Sequence, residues 1–68
     1  MTPSERIILG LWMNGWDDPA LKEQGTDAVA RATAERAGVT PGRVLSVVQR
    51  STPDERDECR LMIWLAAI

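Results

Sequence analysis

Three Thr-Pro dipeptides constrain the fold of this 68-residue chain more than any other feature of its sequence. They begin at Thr2, Thr40 and Thr52. A threonine side chain caps the first turn of a helix, and proline suits the first helical position, where its missing N–H removes no hydrogen bond. In the first and third copies a glutamate, Glu5 or Glu55, follows at the capping-box position. The dipeptides therefore predict three helix starts.

Glycine and proline positions predict the other boundaries. The first helix is expected to end at Asn14-Gly15, a pair that readily adopts left-handed backbone angles, and the second at Gly38. Between these two helices, residues 16–25 are typical of a connection with one helical turn around 20–23. No stretch alternates apolar and polar residues between hairpin turns. We therefore predict a single compact all-α domain, without a sheet or a wing. Its four helices are expected at about 3–13, 26–37, 41–50 and 53–67 of residues 1–68.

The residue composition argues against several classes of protein. Cys59 is the only cysteine and histidine is absent, so an internal disulfide is excluded and a zinc site lacks its usual ligands. With no tyrosine and no phosphate-binding glycine loop, the chain offers little for catalysis, and we expect neither an enzyme nor a cofactor. We see no signal peptide, and the apolar run 61–68 is far shorter than the ~20 residues that span a bilayer. These features predict a cytoplasmic protein without membrane contact.

Charge is distributed unevenly along the chain. Residues 1–27 carry a net charge of -3, residues 28–50 carry +3 and residues 51–68 carry -2. The basic middle contains four arginines and a single acidic residue, Glu35. A partner near the middle segment therefore meets a positive surface although the whole chain is acidic.

Segment 30–49 has the pattern of two helices joined by a very short turn. Only residues 38–40 separate the second and third predicted helices, which predicts a sharp turn between packed helices. A small residue, a turn glycine and three apolar residues complete the pattern: Ala34, Gly38, Val39, Val44 and Val47. The segment resembles the helix-turn-helix DNA-binding regulators of bacteria and phages.

The resemblance implies that the third predicted helix enters the major groove of duplex DNA. Four aliphatic residues of this helix form a stripe of roughly 160°, and the opposite arc holds arginine, serine and glutamine, which reach base edges and phosphates. Arg43, Ser46 and Gln49 are expected to face base edges, with Thr40 and Arg50 on phosphates. Two further phosphate contacts are predicted on the preceding helix: Arg31 and Arg36. The alternative for the third helix is that its polar arc is only a solvated helix face. The alternative for the preceding helix is that Arg31 pairs with Glu35, one turn later, on an exposed face.

The middle Thr-Pro copy differs from the other two at the third helical position. It carries Arg43 where they carry Glu5 and Glu55. Glutamate there suits the helix dipole, whereas arginine attracts phosphate. This difference makes Arg43 the most specific DNA-binding prediction.

The carboxy-terminal run LMIWLAAI is apolar on every face of a helix, so one small core is not expected to cover it. We predict that it joins two copies of the chain in a homodimer, since two-fold dimers are the commonest soluble assembly. The predicted interface residues are Leu61, Met62, Trp64, Leu65 and Ile68. The alternative is that this helix is the central helix of the domain.

Two functions from different classes follow from these patterns. The first is a small transcriptional repressor that binds duplex DNA. The second is a protein-interaction module, such as a small phage or host inhibitor, that uses the acidic ends and the apolar terminal helix without binding DNA.

Overall fold

Five helices joined by short turns make up the fold, and no strand occurs among residues 1–67. The computed structural model describes the backbone of residues 1–67 and the side chains of residues 1–63. The helices are α1 (Pro3–Asp17), α2 (Pro19–Gln24), α3 (Thr26–Ala37), α4 (Pro41–Arg50) and α5 (Pro53–Ala67). The radius of gyration is 10.8 Å, close to the value of about 11 Å expected for a compact chain of this length. The prediction of a compact all-α domain is confirmed.

The Thr-Pro dipeptides begin helices as predicted. The hydroxyls of Thr2, Thr40 and Thr52 each accept a hydrogen bond from the backbone N–H three residues later, at 3.1–3.2 Å. The carboxylates of Glu5 and Glu55 accept from the N–H of the capping threonine at 2.9 Å, which completes both capping boxes. These bonds satisfy N–H groups that the first turn of a helix leaves without a partner.

The prediction that α1 ends near residue 13 was wrong, because Gly15 is a packing residue. Gly15 is buried where α1 crosses α3, and a β-carbon there would lie 2.9 Å from a methyl group of Val29. The helix continues to Asp17. It ends there because Asp18 precedes Pro19, and a residue before proline avoids helical angles. Asp18 accordingly has φ -87° and ψ 113°.

A short helix, α2, occupies most of the segment that was expected to hold one helical turn. The four helices predicted from the sequence correspond to the four longer helices, and α2 is a fifth. Its start has a local cause. The Asp18 side chain accepts a hydrogen bond from the Ala20 N–H at 3.0 Å, and Pro19 follows the cap directly. Leu21 attaches the helix to the core.

α1 is the central helix of the domain. It contacts each of the other four, whereas α5 packs only against α1 within the described part of the chain. Among the described residues, α1 and not α5 is therefore the helix that all the others contact. The buried cluster around α1 consists of Ile8, Leu9, Trp12, Val29, Ala30, Ala34, Val44, Val47 and Cys59.

α1 and α5 approach most closely at Gly10. A β-carbon at Gly10 would lie 2.8 Å from the Cys59 carbonyl oxygen and would overlap the Ile63 side chain. Two ion pairs join the same helices: Arg6 with Glu58, and Arg60 with Asp17. Glycine at position 10 therefore permits the backbone contact, and charged pairs hold the helices on either side of it.

The turn between α3 and α4 has the geometry that the glycine predicted. Gly38 has φ 70° and ψ 34°, in the left-handed region that side chains with a β-carbon disfavour. The next residue, Val39, donates its N–H to the Ala34 carbonyl at 3.0 Å. Ala34, Val44 and Val47 are all buried, so the predicted packing of this helix pair is confirmed.

Thr33 supplies a prediction about stability. Its side chain is 1% exposed, and its hydroxyl has no hydrogen-bond partner among the described residues. Thr33→Val keeps the shape and removes the unpaired polar atom, so we expect a gain of about 1 kcal/mol in the free energy of unfolding. Urea unfolding, monitored by circular dichroism, measures this gain in the free energy of unfolding. Thr52→Val is the control, because it deletes a capping hydroxyl and should cost about 1 kcal/mol. A less stable Thr33→Val protein would contradict the prediction.

Candidate nucleic-acid interface

α4 has one buried face and one exposed face. Val44 and Val47 are 0% exposed and point into the core, while Leu45 and Val48 are half-buried beside them. The exposed positions of this helix and its cap include all five DNA-binding residues predicted there: Thr40, Arg43, Ser46, Gln49 and Arg50. The structure therefore brings these predicted residues together on one outer surface.

Ser46 and Gln49 are the most outward of these side chains. At ~100° per residue, they lie on the side of the helix opposite Val44 and Val47. Neither side chain makes a hydrogen bond within the described part of the chain. The Ser46 hydroxyl and the Gln49 amide are thus available to an external partner.

Arg43 and Arg50 lie on the flank of α4 that faces the start of α1. The Arg50 guanidinium donates to a Glu5 carboxylate oxygen at 2.8 Å and to the Ser46 carbonyl oxygen at 3.3 Å. Arg43 makes no side-chain hydrogen bond to a described residue, but its charge acts on Glu5. The two arginines therefore form a basic edge along one side of the exposed face.

Glu5 belongs to this site although the sequence indicated only a capping role for it. The hydrogen bond from the Thr2 backbone N–H is the main cause that lowers the pKa of Glu5, and the Thr2 side chain lowers it further. Desolvation opposes these two effects, and the charges of Arg50 and Arg43 add smaller lowering effects. The carboxylate is thus held in its charged form. Its partner Arg50 is 45 residues away in sequence, and no local motif signals such a pair.

Arg31 lies on the opposite flank of α4. It lines an open groove of about 340 Å³ between α3 and α4, together with Asp27, Ala30, Pro41 and Leu45. Among the described residues, no ion pair joins Arg31 to Glu35, so the alternative of a pair one turn apart is not observed. Arginines consequently flank the exposed face of α4 on both sides.

Arg36 is exposed but does not join this arrangement. It lies five residues after Arg31, which places it roughly 140° around α3. It also lies in the last turn of α3, where a positive charge interacts favourably with the helix dipole. Its predicted phosphate contact stays a prediction.

Thr40 combines two possible roles. Its hydroxyl oxygen accepts the capping hydrogen bond from the Arg43 N–H at 3.2 Å. The hydroxyl proton is still able to donate, and the residue is exposed at the start of α4. A phosphate contact by Thr40 is compatible with its capping role.

Comparisons with known proteins give no assignment. No protein-family model, curated protein or solved structure matched the chain.

Other kinds of site have little support in the structure. Among the described residues, no group of three or more potential ligands is placed to hold a metal ion, and no helix is both long and apolar enough to cross a membrane. Cys59 is buried in the core, and this burial raises the pKa of its thiol. The charges of Glu58 and Glu55 raise this pKa further, while the charge of Arg6 opposes them.

The predicted dimer interface is described only in part. Leu61 and Met62 are 59% and 45% exposed on the outer side of α5. The Arg6 guanidinium contacts the sulfur of Met62 at 3.2 Å. The side chains of Trp64 and Leu65, and Ile68 as a whole, lie outside the described residues. Leu61 and Met62 thus form an apolar patch of α5 that is largely exposed within the described part of the chain.

Proposed function

We propose that this protein binds duplex DNA by inserting α4 into the major groove and acts as a small transcriptional repressor. α3 and α4 serve as the helix-turn-helix, with residues 38–40 as the turn. One observation carries the proposal: α4 has a polar outer face on which Ser46 and Gln49 have no hydrogen-bond partners among the described residues, and this face lies between arginines on both sides.

The exposed side chains match the chemistry of the major groove. Glutamine pairs with adenine, arginine pairs with guanine and serine adapts to several bases. We assign base contacts to Arg43, Ser46 and Gln49. Phosphate contacts belong to Thr40 and Arg50 on one flank, and to Arg31 on the other.

The position of the two flanks supports this assignment. The major groove is about 12 Å wide and is bordered by phosphates on both sides. A helix within it therefore benefits from cations on its two flanks, as Arg50 and Arg31 provide for α4. The acidic segments before and after the basic middle disfavour other orientations on DNA, because phosphate repels them.

A homodimer follows from the same proposal. Leu61 and Met62 are exposed on a helix that, within the described part of the chain, packs only against α1, and a second copy would cover them. Two helix-turn-helix units in a dimer typically contact half-sites ~34 Å apart. We assign the dimer contact to α5 and place the protein in the cytoplasm, where it meets DNA.

Selection from a library of random duplexes tests the proposal. We expect enrichment of a palindrome, because a two-fold dimer reads the same half-site twice. Arg43→Glu serves as the negative control in a parallel selection. Recovery of sequences no different from the starting library, at low salt, would contradict DNA recognition.

A second candidate is binding of another protein through the outer side of α5. It is favoured by exposed Leu61, which borders an open groove of about 660 Å³ with Asp17, Asp57 and Arg60. Affinity purification from host extract distinguishes the two functions. One stoichiometric protein partner, together with a failed DNA selection, would support this candidate over the repressor.

A further inference from the structure

We infer that Glu5 is a positioning residue for DNA binding, because it holds the Arg50 guanidinium in the orientation that contacts a phosphate. This inference rests on the proposed function and assigns to α1 a part in it. Glu5 is not in α3 or α4, and it does not touch the DNA in this arrangement.

Hydrogen bonds hold the Glu5 carboxylate at both of its oxygens. One Glu5 oxygen accepts from the Thr2 N–H at 2.9 Å, and the other accepts from Arg50 at 2.8 Å. The Glu5 side chain is only 11% exposed. Because the capping box holds the carboxylate, Glu5 acts as a fixed anchor for the end of the arginine side chain.

Arg50 retains donors for an external anion. Its Nε–H donates to the Ser46 carbonyl, and one terminal nitrogen donates to Glu5. The side chain is 57% exposed, and the other N–H groups of the planar guanidinium are not used by described residues. A phosphate can therefore bind the outer edge of Arg50 without displacing Glu5.

Holding Arg50 in place lowers the entropic cost of binding. A long side chain that is mobile in the free protein loses its rotamer freedom when it contacts DNA. An arginine already fixed by Glu5 loses less, so the carboxylate favours binding even though its own charge repels phosphate. The two effects have opposite signs, which makes them separable by experiment.

Glu5→Gln is the informative change. Glutamine at this position still completes a capping box, so the start of α1 is preserved. We expect the affinity for the selected duplex to fall roughly fivefold, because Arg50 becomes mobile. If charge alone mattered, removing a negative charge would instead strengthen binding.

Glu55→Gln provides a matched control. Glu55 occupies the same capping-box position in α5 and has the same bond to its threonine, but it contacts no α4 arginine. Glu55→Gln should leave the affinity unchanged or slightly higher. Binding is measured under conditions in which circular dichroism shows that Glu5→Gln and Glu55→Gln are both folded.

A double-mutant cycle with Arg50→Ala completes the test. Glu5→Gln should no longer weaken binding once Arg50 is absent. In the protein without DNA, the Arg50 Nε–H signal in NMR spectra should shift in Glu5→Gln and stay in place in Glu55→Gln.

The outcomes separate the inference from the proposed function. If the wild type binds DNA and Glu5→Gln binds as well as Glu55→Gln or better, the positioning role is overturned and the repressor stands. An equal loss in the Arg50→Ala background also overturns it. If the wild type selects no DNA, the proposed function fails and this role fails with it.

Discussion

Gly10→Ala should lower the free energy of unfolding by about 2 kcal/mol, within the range for overpacked cores. The added methyl group meets the Cys59 carbonyl oxygen at 2.8 Å and overlaps Ile63, so α5 must move away from α1. Alanine favours a helix over glycine by about 1 kcal/mol, which offsets part of the clash. Stability of small domains is only about 0.05–0.15 kcal/mol per residue, so the loss is a large share of the total. Urea unfolding of the wild type and of Gly10→Ala measures the difference in the free energy of unfolding.

Gly42→Ala is the matched control for this prediction. Gly42 also lies in a helix, but a β-carbon there meets only the Thr40 hydroxyl, at 4.0 Å. The same substitution should therefore stabilise the protein by roughly 0.5–1 kcal/mol. Equal effects at positions 10 and 42 would show that the approach of α1 to α5 does not constrain the fold.

Arg43→Glu should abolish detectable DNA binding and leave the protein folded. The substitution replaces an attraction to DNA with a repulsion, and one lost base contact alone costs about 1–3 kcal/mol. We expect the affinity to fall about 100-fold or more at moderate salt. The fold should persist, because Arg43 is exposed and a glutamate three residues after Thr40 fits a capping box. Fluorescence anisotropy with the selected duplex measures the affinity.

One control shows whether the loss is local. Lys22→Glu makes the same change in charge on α2, away from α4, and should have a much smaller effect. A loss as large as that of Arg43→Glu in this control would mean that overall charge, and not α4, determines binding.

Local chemistry explains why much of the fold was predictable. Threonine, proline and glycine act within a few residues, so Thr40 and Gly38 specify the start of α4 and the turn before it. The aliphatic stripe of α4 likewise identified Val44 and Val47 as buried. The exposed face that forms the candidate site follows from the same periodicity.

Contacts between segments that are distant in sequence explain the features that were not predicted. Asn14-Gly15 has the local signature of a helix end, but α3 packs on Gly15 and the helix continues past it. The pairing of Glu5 with Arg50 depends on how α1 crosses α4, which no local pattern encodes. Sequence patterns therefore predicted the outer face of α4, but they did not predict that Glu5 holds Arg50.

The central place of α1 has a consequence for biosynthesis. A ribosome makes α1 before any of the helices that cover it, and its partner α5 comes after the other four. Until α5 emerges, the apolar surface around Gly10 is without its native cover. Such surfaces promote aggregation of incomplete chains. Folding of this domain therefore finishes only after α5 has been synthesised, and nascent chains that stop before α5 are expected to depend on chaperones.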